Sequence, residues 1–242
     1  MNILFLNGSP KRITSASQYF LNLIRIQSVR CKTKQMKLQP KAYDEIFNQF
    51  GQIDALVIAL PVYVDGVPSH VLQFMTEAER FLKESNYSFK LYVISNCGFY
   101  EGTQCKHALS IMRSFCKKAG LIWGGGLGIG GGEMLGAIRV MLISVTLSFL
   151  ISVPMLFLLG ESFLGLWISS VITMSIFLLL SLRLFHALWR MQRAIRKKEA
   201  IPDFYTGLTL CPRFLFMIVS SMYFIVRAAY HGIGFWGMYK KD

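Results

Sequence analysis

The chain has 242 residues, of which 53% are hydrophobic and 16% are charged, and its mean hydropathy is +0.44. Because the charged fraction lies below the roughly 25% of ordinary soluble domains, a disordered chain, a coiled coil and a fibrous repeat are excluded. The apolar excess is uneven. Residues 1–136 have the composition of a soluble domain, whereas residues 140–182 carry one charge, Glu161.

The net charge of +13 first suggests a nucleic acid or an anionic membrane as partner. No stripe of Lys and Arg alternates with aromatic residues, and the densest basic run, 190–198, follows the apolar block. We therefore expect no nucleic-acid partner. The five cysteines form no CxxC pair, and neither they nor the four histidines have metal-ligand spacing, which predicts no metal site and a reducing compartment. The segment 1–11 does not read as a signal peptide.

Short apolar runs predict strands, and apolar residues at helical spacing predict helices. In chain order, we predict a strand at 2–7, a helix at 15–26, a weak edge strand at 31–38, a short helix at 44–50, a strand at 55–59, a helix at 69–83, a strand at 90–95, a helix at 103–119 and a strand at 121–129. Strands that alternate with helices predict an α/β fold with a doubly wound parallel sheet.

Two uncharged segments of 20 residues each, 140–159 and 163–182, follow this domain. That length matches a hydrocarbon core of about 30 Å, so we predict a transmembrane hairpin within residues 137–183. A pair of buried core helices is the alternative. Arginine precedes the hairpin and a basic run follows it, so the positive-inside rule places both ends in the cytoplasm of a multi-pass protein of the cell membrane.

Residues 184–242 are predicted to be cytoplasmic helices, but their role is open. The segment 183–198 has apolar residues on one helical face, which suits a basic amphipathic helix on anionic lipid or a helix that covers the sheet. The segment 208–226 has an uncharged part too short to span a bilayer, and it either packs on the domain or lies at the membrane surface.

Three loops follow predicted strands, and ligands of open parallel sheets bind at the carboxyl ends of the strands. The first loop, 8–17, offers hydroxyls, cations and a helix N-terminus, which suit a phosphate or serve as a solvated helix cap. The loops 61–68 and 96–102 offer backbone amides and aromatic residues, which suit a flat heteroaromatic ring. Taken alone, each tyrosine in these loops is more typical of a partly buried side chain than of a ligand contact.

Together these loops resemble the flavodoxin-like NAD(P)H-dependent FMN reductases over residues 1–136. The motifs are Gly-Ser-Pro-Lys followed by Ser-x-Ser, then Pro-x-Tyr-x₄-Pro, then Asn-x-Gly-Phe-Tyr-Glu-Gly. The segment 106–133 also resembles the family's fourth helix, fifth strand and glycine loop. The resemblance implies a flavodoxin-like domain at 1–136 with a five-stranded parallel sheet in the order 2-1-3-4-5. It also implies that the helices after the hairpin complete this domain.

The resemblance implies FMN as cofactor and NAD(P)H as co-substrate. The positions that match the family's phosphate contacts are Ser9, Lys11, Ser15, Ala16 and Ser17, and the positions that match its flavin-ring contacts are Pro61, Val62, Tyr63, Val64, Asn96, Cys97, Gly98, Phe99 and Tyr100. Many members carry Asn where this chain has Ala16, so one side-chain contact to the phosphate is absent. Because the flavin carries the hydride chemistry, we expect no catalytic side chain.

Two other features have competing interpretations. The segment 126–131 formally fits G-x-G-x-x-G, but a predicted membrane span follows it where a dinucleotide site needs a soluble helix. Cys97 is either a reactive thiol in the flavin loop or a small packing residue.

These observations predict a membrane-anchored flavoprotein oxidoreductase that passes electrons from NAD(P)H through FMN to a quinone or a redox partner. The alternative is a non-catalytic, membrane-bound flavodoxin-like binding or sensor module. The predicted partners are the lipid bilayer, a small-molecule or protein electron acceptor and, because members of the family commonly dimerise, a second copy of the chain.

Overall fold

The computed structural model describes residues 1–11, 15–64, 66–159, 164–208, 212–230 and 232. Contacts between Cα atoms divide the chain into two compact units. Unit 1 comprises Met1–Glu133 and Arg183–Leu208, and unit 2 comprises Met134–Leu182 and Thr209–Asp242.

Unit 1 is built on a six-stranded sheet in the order β2-β1-β3-β4-β5-β6. Every neighbouring pair is parallel, which confirms the predicted α/β class with a parallel sheet. The first five strands have the order of the flavodoxin-like doubly wound fold. The strands are β1 (Asn2–Asn7), β2 (Lys32–Lys37), β3 (Ala55–Pro61), β4 (Lys90–Asn96), β5 (Ile122–Gly130) and β6 (Phe204–Gly207).

The prediction of five strands was wrong, because β6 adds a sixth. It pairs with β5 from Leu127 opposite Phe204 to Gly130 opposite Gly207. The strand has four residues, Phe-Tyr-Thr-Gly, and no apolar run, so the pattern that reveals longer strands is absent. Its partner β5 supplies the hydrogen-bonding edge that makes so short a segment extended.

Seven helices are described: α1 (Ala16–Gln27), α2 (Tyr43–Phe47), α3 (Ser69–Ser85), α4 (Lys106–Lys118), α5 (Leu135–Leu159), α6 (Leu164–Lys197) and α7 (Arg213–Tyr230). In unit 1, the apolar faces of α1, α3 and α4 are buried, as the side chains of Phe20, Phe74 and Leu109 illustrate. All seven residues of β3 are buried, as expected of a central strand covered by helices on both faces.

Several polar contacts hold the segment 183–208 within unit 1. The buried Tyr92 hydroxyl donates to the carbonyl oxygens of Ala194, at 3.2 Å, and Glu199, at 2.8 Å. The Asp203 carboxylate accepts from the Trp123 indole, from the Gly126 N–H and from the Arg113 guanidinium, at 2.7–2.9 Å. The sequence left open whether the apolar face of 183–198 lies on lipid or covers the sheet. In the structure this face is buried, and its members are Leu184, Ala187, Leu188, Met191 and Ile195. This burial is the one expected of a helix that covers a sheet.

Unit 2 contains α5, the first part of α6 and α7. The hydroxyl oxygens of Ser148 and Ser170 lie 3.2 Å apart, and the rings of Phe149 and Trp167 lie 6.5 Å apart, centroid to centroid. Large apolar side chains are exposed on all three helices, including Phe157, Ile172 and Val226.

Within the described ranges, no single helix has both the length and the apolar character needed to cross a membrane. The segments Trp167–Ile176 and Ser181–Lys197 meet that test as a pair bent by 45°, and shorter apolar helices occur at Ile143–Met155 and Phe216–Tyr230. The two predicted spans, 140–159 and 163–182, are therefore not supported as separate membrane helices. The linker between them, 160–162, and the first residue of the second span lie outside the described residues.

Candidate cofactor site

The three predicted loops meet at the carboxyl edge of the sheet in unit 1. The register places Asn7 beside Ala59, and Pro61 beside Asn96, so β1, β3 and β4 end at neighbouring positions. The strand order reverses between β1 and β3, and such switch points are where open α/β sheets bind ligands.

The first loop turns sharply after β1. The Gly8 N–H donates to the Ala59 carbonyl at 2.8 Å, and the Ser9 N–H donates to the Asn7 side-chain oxygen at 3.0 Å. Ser9 is buried, and its hydroxyl oxygen accepts from the Lys11 N–H at 3.4 Å. The Lys11 side chain is exposed. Residues 12–14 of this loop lie outside the described residues.

The loop leads into the N-terminus of α1. The hydroxyl oxygen of Ser15, the N-cap residue, accepts from the Gln18 N–H at 3.1 Å, so Ser15 still has a hydroxyl hydrogen to donate. The N–H groups of Ala16 and Ser17 lie in the first turn, where a helix offers no acceptor of its own. These groups and the helix dipole make the position favourable for an anion.

The second loop follows β3 and carries exposed side chains. Tyr63 and Gly66 pair in a tight antiparallel bridge, with N–H to carbonyl distances of 3.0 and 3.1 Å. Val64, between them, is fully exposed and has a positive φ of 48°, which is unusual for a β-branched residue. The turn thus presents Tyr63 and Val64 to solvent beside the end of β3.

The third loop follows β4 and goes from buried to exposed within four residues. Asn96 and Cys97 are buried, Gly98 and Phe99 are exposed, and Tyr100 is half-buried. The Cys97 N–H donates to the Ile129 carbonyl at 3.0 Å, and the Cys97 carbonyl accepts from the Gly132 N–H at 2.7 Å. The loop is therefore held against the end of β5.

Asn96 links all three loops. Its side-chain oxygen accepts from the Ser17 hydroxyl at 3.0 Å, and its carbonyl accepts from the Val62 N–H at 2.8 Å. Because the Ser17 hydroxyl hydrogen is directed to Asn96, Ser17 has its N–H rather than that hydrogen to offer a ligand in this conformation.

Glycines at the end of β5 allow the third loop to approach closely. A Cβ at Gly130 would collide with the backbone of Tyr100 and Gly102, and a Cβ at Gly132 would lie 2.8 Å from the Asn96 side-chain nitrogen. The glycine-rich segment 126–131 thus borders the site through strand packing. Gly126–Gly130 belong to β5, and the segment does not open a dinucleotide-binding turn.

Sequence reasoning missed two residues that hold the first loop. His70 Nε2 lies 3.0 Å from the Gly8 carbonyl, and the Lys37 ammonium donates to the Lys11 carbonyl at 2.8 Å. Burial and the nearby Lys37 lower the pKa of His70, although the Gly8 carbonyl opposes them. One available signal was the position of His70 in the first turn of α3, directly after the second loop.

All fourteen predicted contact residues lie in the three loops or in the elements that flank them. The structure buries Ser9, Ser15, Ser17, Pro61, Asn96 and Cys97, and it exposes Lys11, Tyr63, Val64, Gly98 and Phe99. Ala16, Val62 and Tyr100 are intermediate. Their role in binding stays a prediction.

No family model and no curated protein matches the chain. Among solved structures, a NADPH-quinone reductase from P. pentosaceus is 14% identical, with 54% of this chain and 86% of that chain covered and a TM-score of 0.45. A NAD(P)H:quinone oxidoreductase from Methanothermobacter marburgensis is 15% identical, with 54% and 84% covered and a TM-score of 0.45. A NADH:FMN oxidoreductase in its apo form is 16% identical, with 54% and 75% covered and a TM-score of 0.42. Similarities this distant carry no argument about the function of this chain.

Proposed function

We propose that unit 1 binds FMN at the carboxyl edge of its sheet and that the protein is a NAD(P)H-dependent flavoprotein oxidoreductase. The observation that carries this proposal is the convergence of the three loops on Asn96, at the switch point of a sheet with flavodoxin-like strand order. Bound FMN would accept a hydride from NAD(P)H and pass electrons to a quinone or a redox partner.

The donors at one end of the site fit a phosphate. The N–H groups of Ala16 and Ser17, the Ser15 hydroxyl and the exposed Lys11 ammonium would hold its oxygens. Ala16 contributes its N–H alone, whereas Ser9 and Ser17 shape the loop through their hydrogen bonds to Lys11 and Asn96.

The other end fits a flat heteroaromatic ring. Exposed Tyr63 and Phe99 stand on two different loops, whereas Asn96, Cys97 and Pro61 in the same loops are buried. Aromatic side chains would stack on or against the ring, while backbone groups of 61–64 and 96–100 would contact its polar edge. These residues would position the cofactor and exclude water from it.

We also propose that unit 2 attaches the enzyme to the cytoplasmic face of the cell membrane. The support is the exposure of large apolar side chains on α5, α6 and α7. The arginines and lysines at 183–198 would add an attraction to anionic lipid. A membrane-soluble quinone is then an accessible acceptor. We further infer that Arg183–Leu208 completes the flavin-binding domain, and that two copies of the chain associate.

An absorbance titration tests the enzymatic proposal. The full chain, purified in mild detergent and mixed with FMN, should show flavin bands that NADH or NADPH bleaches under anaerobic conditions and that a short-chain quinone restores. Failure to bind FMN would defeat the proposal. Flotation with liposomes containing anionic lipid, compared with neutral liposomes, tests the membrane attachment separately.

The second candidate is a binding or sensor module without catalysis. The absence of a side-chain donor at Ala16 favours it, because that position would contact the phosphate through its backbone alone. Flavin binding without bleaching by either nicotinamide cofactor would support this candidate over the enzyme.

A further inference from the structure

Two buried cysteines, Cys97 and Cys105, lie in the third loop and shortly after it in the chain. Cys97 directly follows β4 and is 3% exposed, and Cys105 directly precedes α4 and is fully buried. The sequence drew attention to Cys97 alone. Cys105 is eight positions away, and the five cysteines show no spacing typical of a pair.

The two sulfur atoms approach the same backbone carbonyl oxygen. The Cys97 Sγ lies 3.8 Å and the Cys105 Sγ 3.9 Å from the same acceptor, the Ile129 carbonyl oxygen. Carbonyls of Glu101 and Ser95 accept from Cys97 and Cys105 at 3.5 and 3.4 Å, so each sulfur is held from a second side.

We propose that Cys97 and Cys105 are an oxidation site that hydrogen peroxide converts to an intramolecular disulfide. This inference does not depend on flavin binding. Two thiols that approach the same carbonyl oxygen need no large movement of the chain to bond, which separates them from buried single cysteines such as Cys116.

The reaction balances in two steps. Cys97 sulfur attacks a peroxide oxygen, which breaks the O–O bond and gives a sulfenic acid and one water. Cys105 sulfur then attacks the Cys97 sulfur, the S–O bond breaks, and the Cys105 proton leaves with the hydroxyl group as a second water. Peroxide gains the two electrons that the dithiol loses.

The surroundings assign the first attack to Cys97. The neighbouring Cys97 thiol and burial both raise the pKa of Cys105, so Cys105 stays protonated at neutral pH. Cys97 is also the more accessible of the two. We therefore expect oxidation to be slower than at exposed reactive thiols, and to go to the disulfide without accumulation of sulfenic acid.

The bond would close a loop that contains Gly98, Phe99 and Tyr100. Gly98 and Phe99 are exposed and Tyr100 is half-buried, so oxidation would restrict the part of the third loop that would face a ligand. The pair thereby connects peroxide exposure with the conformation of the candidate site.

Peptide mapping of the full chain tests the proposal without any flavin. The reduced protein is treated with hydrogen peroxide, alkylated under denaturing conditions and digested. We expect a linked peptide pair containing Cys97 and Cys105, lost on treatment with dithiothreitol, while Cys116 stays alkylated. Recovery of both cysteines as alkylated thiols would overturn the proposal, as would a disulfide to a different cysteine.

The variant Cys105→Ser separates the two steps. With no resolving thiol, Cys97 should stop at the sulfenic acid, and dimedone should label it at least tenfold more than in the wild-type chain. Equal labelling of Cys97 in the two proteins would contradict the mechanism. Should Cys105→Ser not fold, the peptide map of the wild-type chain decides on its own.

Discussion

Asn96 shows at the scale of one residue how the candidate site is organised. Its side chain and its carbonyl connect α1 and the second loop to the third, so a single buried amide fixes the relative positions of groups from three parts of the chain. The proximity of the loops followed from the parallel-strand rule. The pairing of Ser17 with Asn96 did not, since hydrogen bonds across 79 positions leave no local pattern in a sequence.

Lys11 is expected to contact the phosphate of FMN specifically. The variant Lys11→Ala should weaken FMN binding about tenfold, which corresponds to one charge-assisted hydrogen bond of about 1.5 kcal/mol. Riboflavin lacks the phosphate, so its affinity should not change. Fluorescence quenching of both flavins measures the difference.

Lys32 supplies the matched control for that substitution. It is an exposed lysine at the amino end of β2, at the opposite edge of the sheet. Lys32→Ala removes the same charge and should leave both affinities unaltered. If both variants lost FMN affinity to a similar extent, the effect of Lys11 would come from the overall charge of the protein and not from a contact with the phosphate.

His70 should make the first loop sensitive to acid. Its pKa in the folded chain is lowered, mainly by burial, so folding favours the neutral ring. The stability from this group is present above the ordinary histidine pKa of about 6.5, and it is lost as the pH falls below that value. The neutral Nε2–H donates to Gly8.

The substitution His70→Gln keeps a donor but does not titrate. We expect urea midpoints at pH 7.5 and pH 5.5 to differ more in the wild-type protein than in this variant. Identical pH dependence in the two proteins would show that His70 is not the responsible group.

At the scale of elements, the strands and helices that the sequence predicts well are those with a clear pattern of apolar residues. The long apolar strands and the amphipathic helices of residues 1–130 lie within a few positions of their predicted bounds, because burial fixes their periodicity. β6 has no such pattern and becomes extended through its partner β5. The burial of the apolar face of 183–198 likewise depends on contacts with residues far away in the sequence, which the spacing of its own apolar residues does not predict.

Tyr92 should contribute to the attachment of the 183–208 segment. Tyr92→Phe removes one buried hydroxyl that bonds two carbonyls, so we expect a loss of about 1–2 kcal/mol in the free energy of unfolding. Burial raises the pKa of Tyr92 to about 12, so the hydroxyl stays a donor at neutral pH.

Tyr87→Phe is the control, because Tyr87 is 42% exposed. Chemical denaturation followed by far-ultraviolet circular dichroism should show little effect of this change. A loss as large as that of Tyr92→Phe would mean that removal of any tyrosine hydroxyl is costly here.

At the scale of the whole molecule, unit 1 is discontinuous in sequence. Residues 134–182 separate its two parts, and the second part brings β6, a buried helical face and the Asp203 contacts. A soluble domain that ends at residue 136 was the simplest interpretation of the composition. The contacts of 183–208 show that a change in composition along the chain locates the apolar segment. It does not locate the last residue of a folded unit.

Truncation after Gly136 should therefore give a poorly folded fragment. Loss of 183–208 uncovers apolar surface and leaves the Trp123 indole without its acceptor, Asp203. We expect aggregation or a molten state, seen as broad amide signals in NMR spectra. A fragment with sharp, dispersed signals and bound FMN would refute the closure of unit 1 by the second part.

A chain that ends at Leu208 and has a short flexible linker in place of residues 134–182 is the complementary test. It retains both parts of unit 1 and should recover dispersed signals. The pair of proteins separates the loss of unit 2 from the loss of the second part of unit 1.

The position of β6 also sets an order of events during synthesis. When the ribosome has made β5, the outer edge of that strand has no partner, and its partner follows only after the whole of α5 and α6. During that interval, an unpaired edge rich in glycine is open to pairing with another nascent chain. The sheet closes only after the chain has been translated as far as Gly207, so the rate of translation from β5 to β6 governs how long this edge stays exposed.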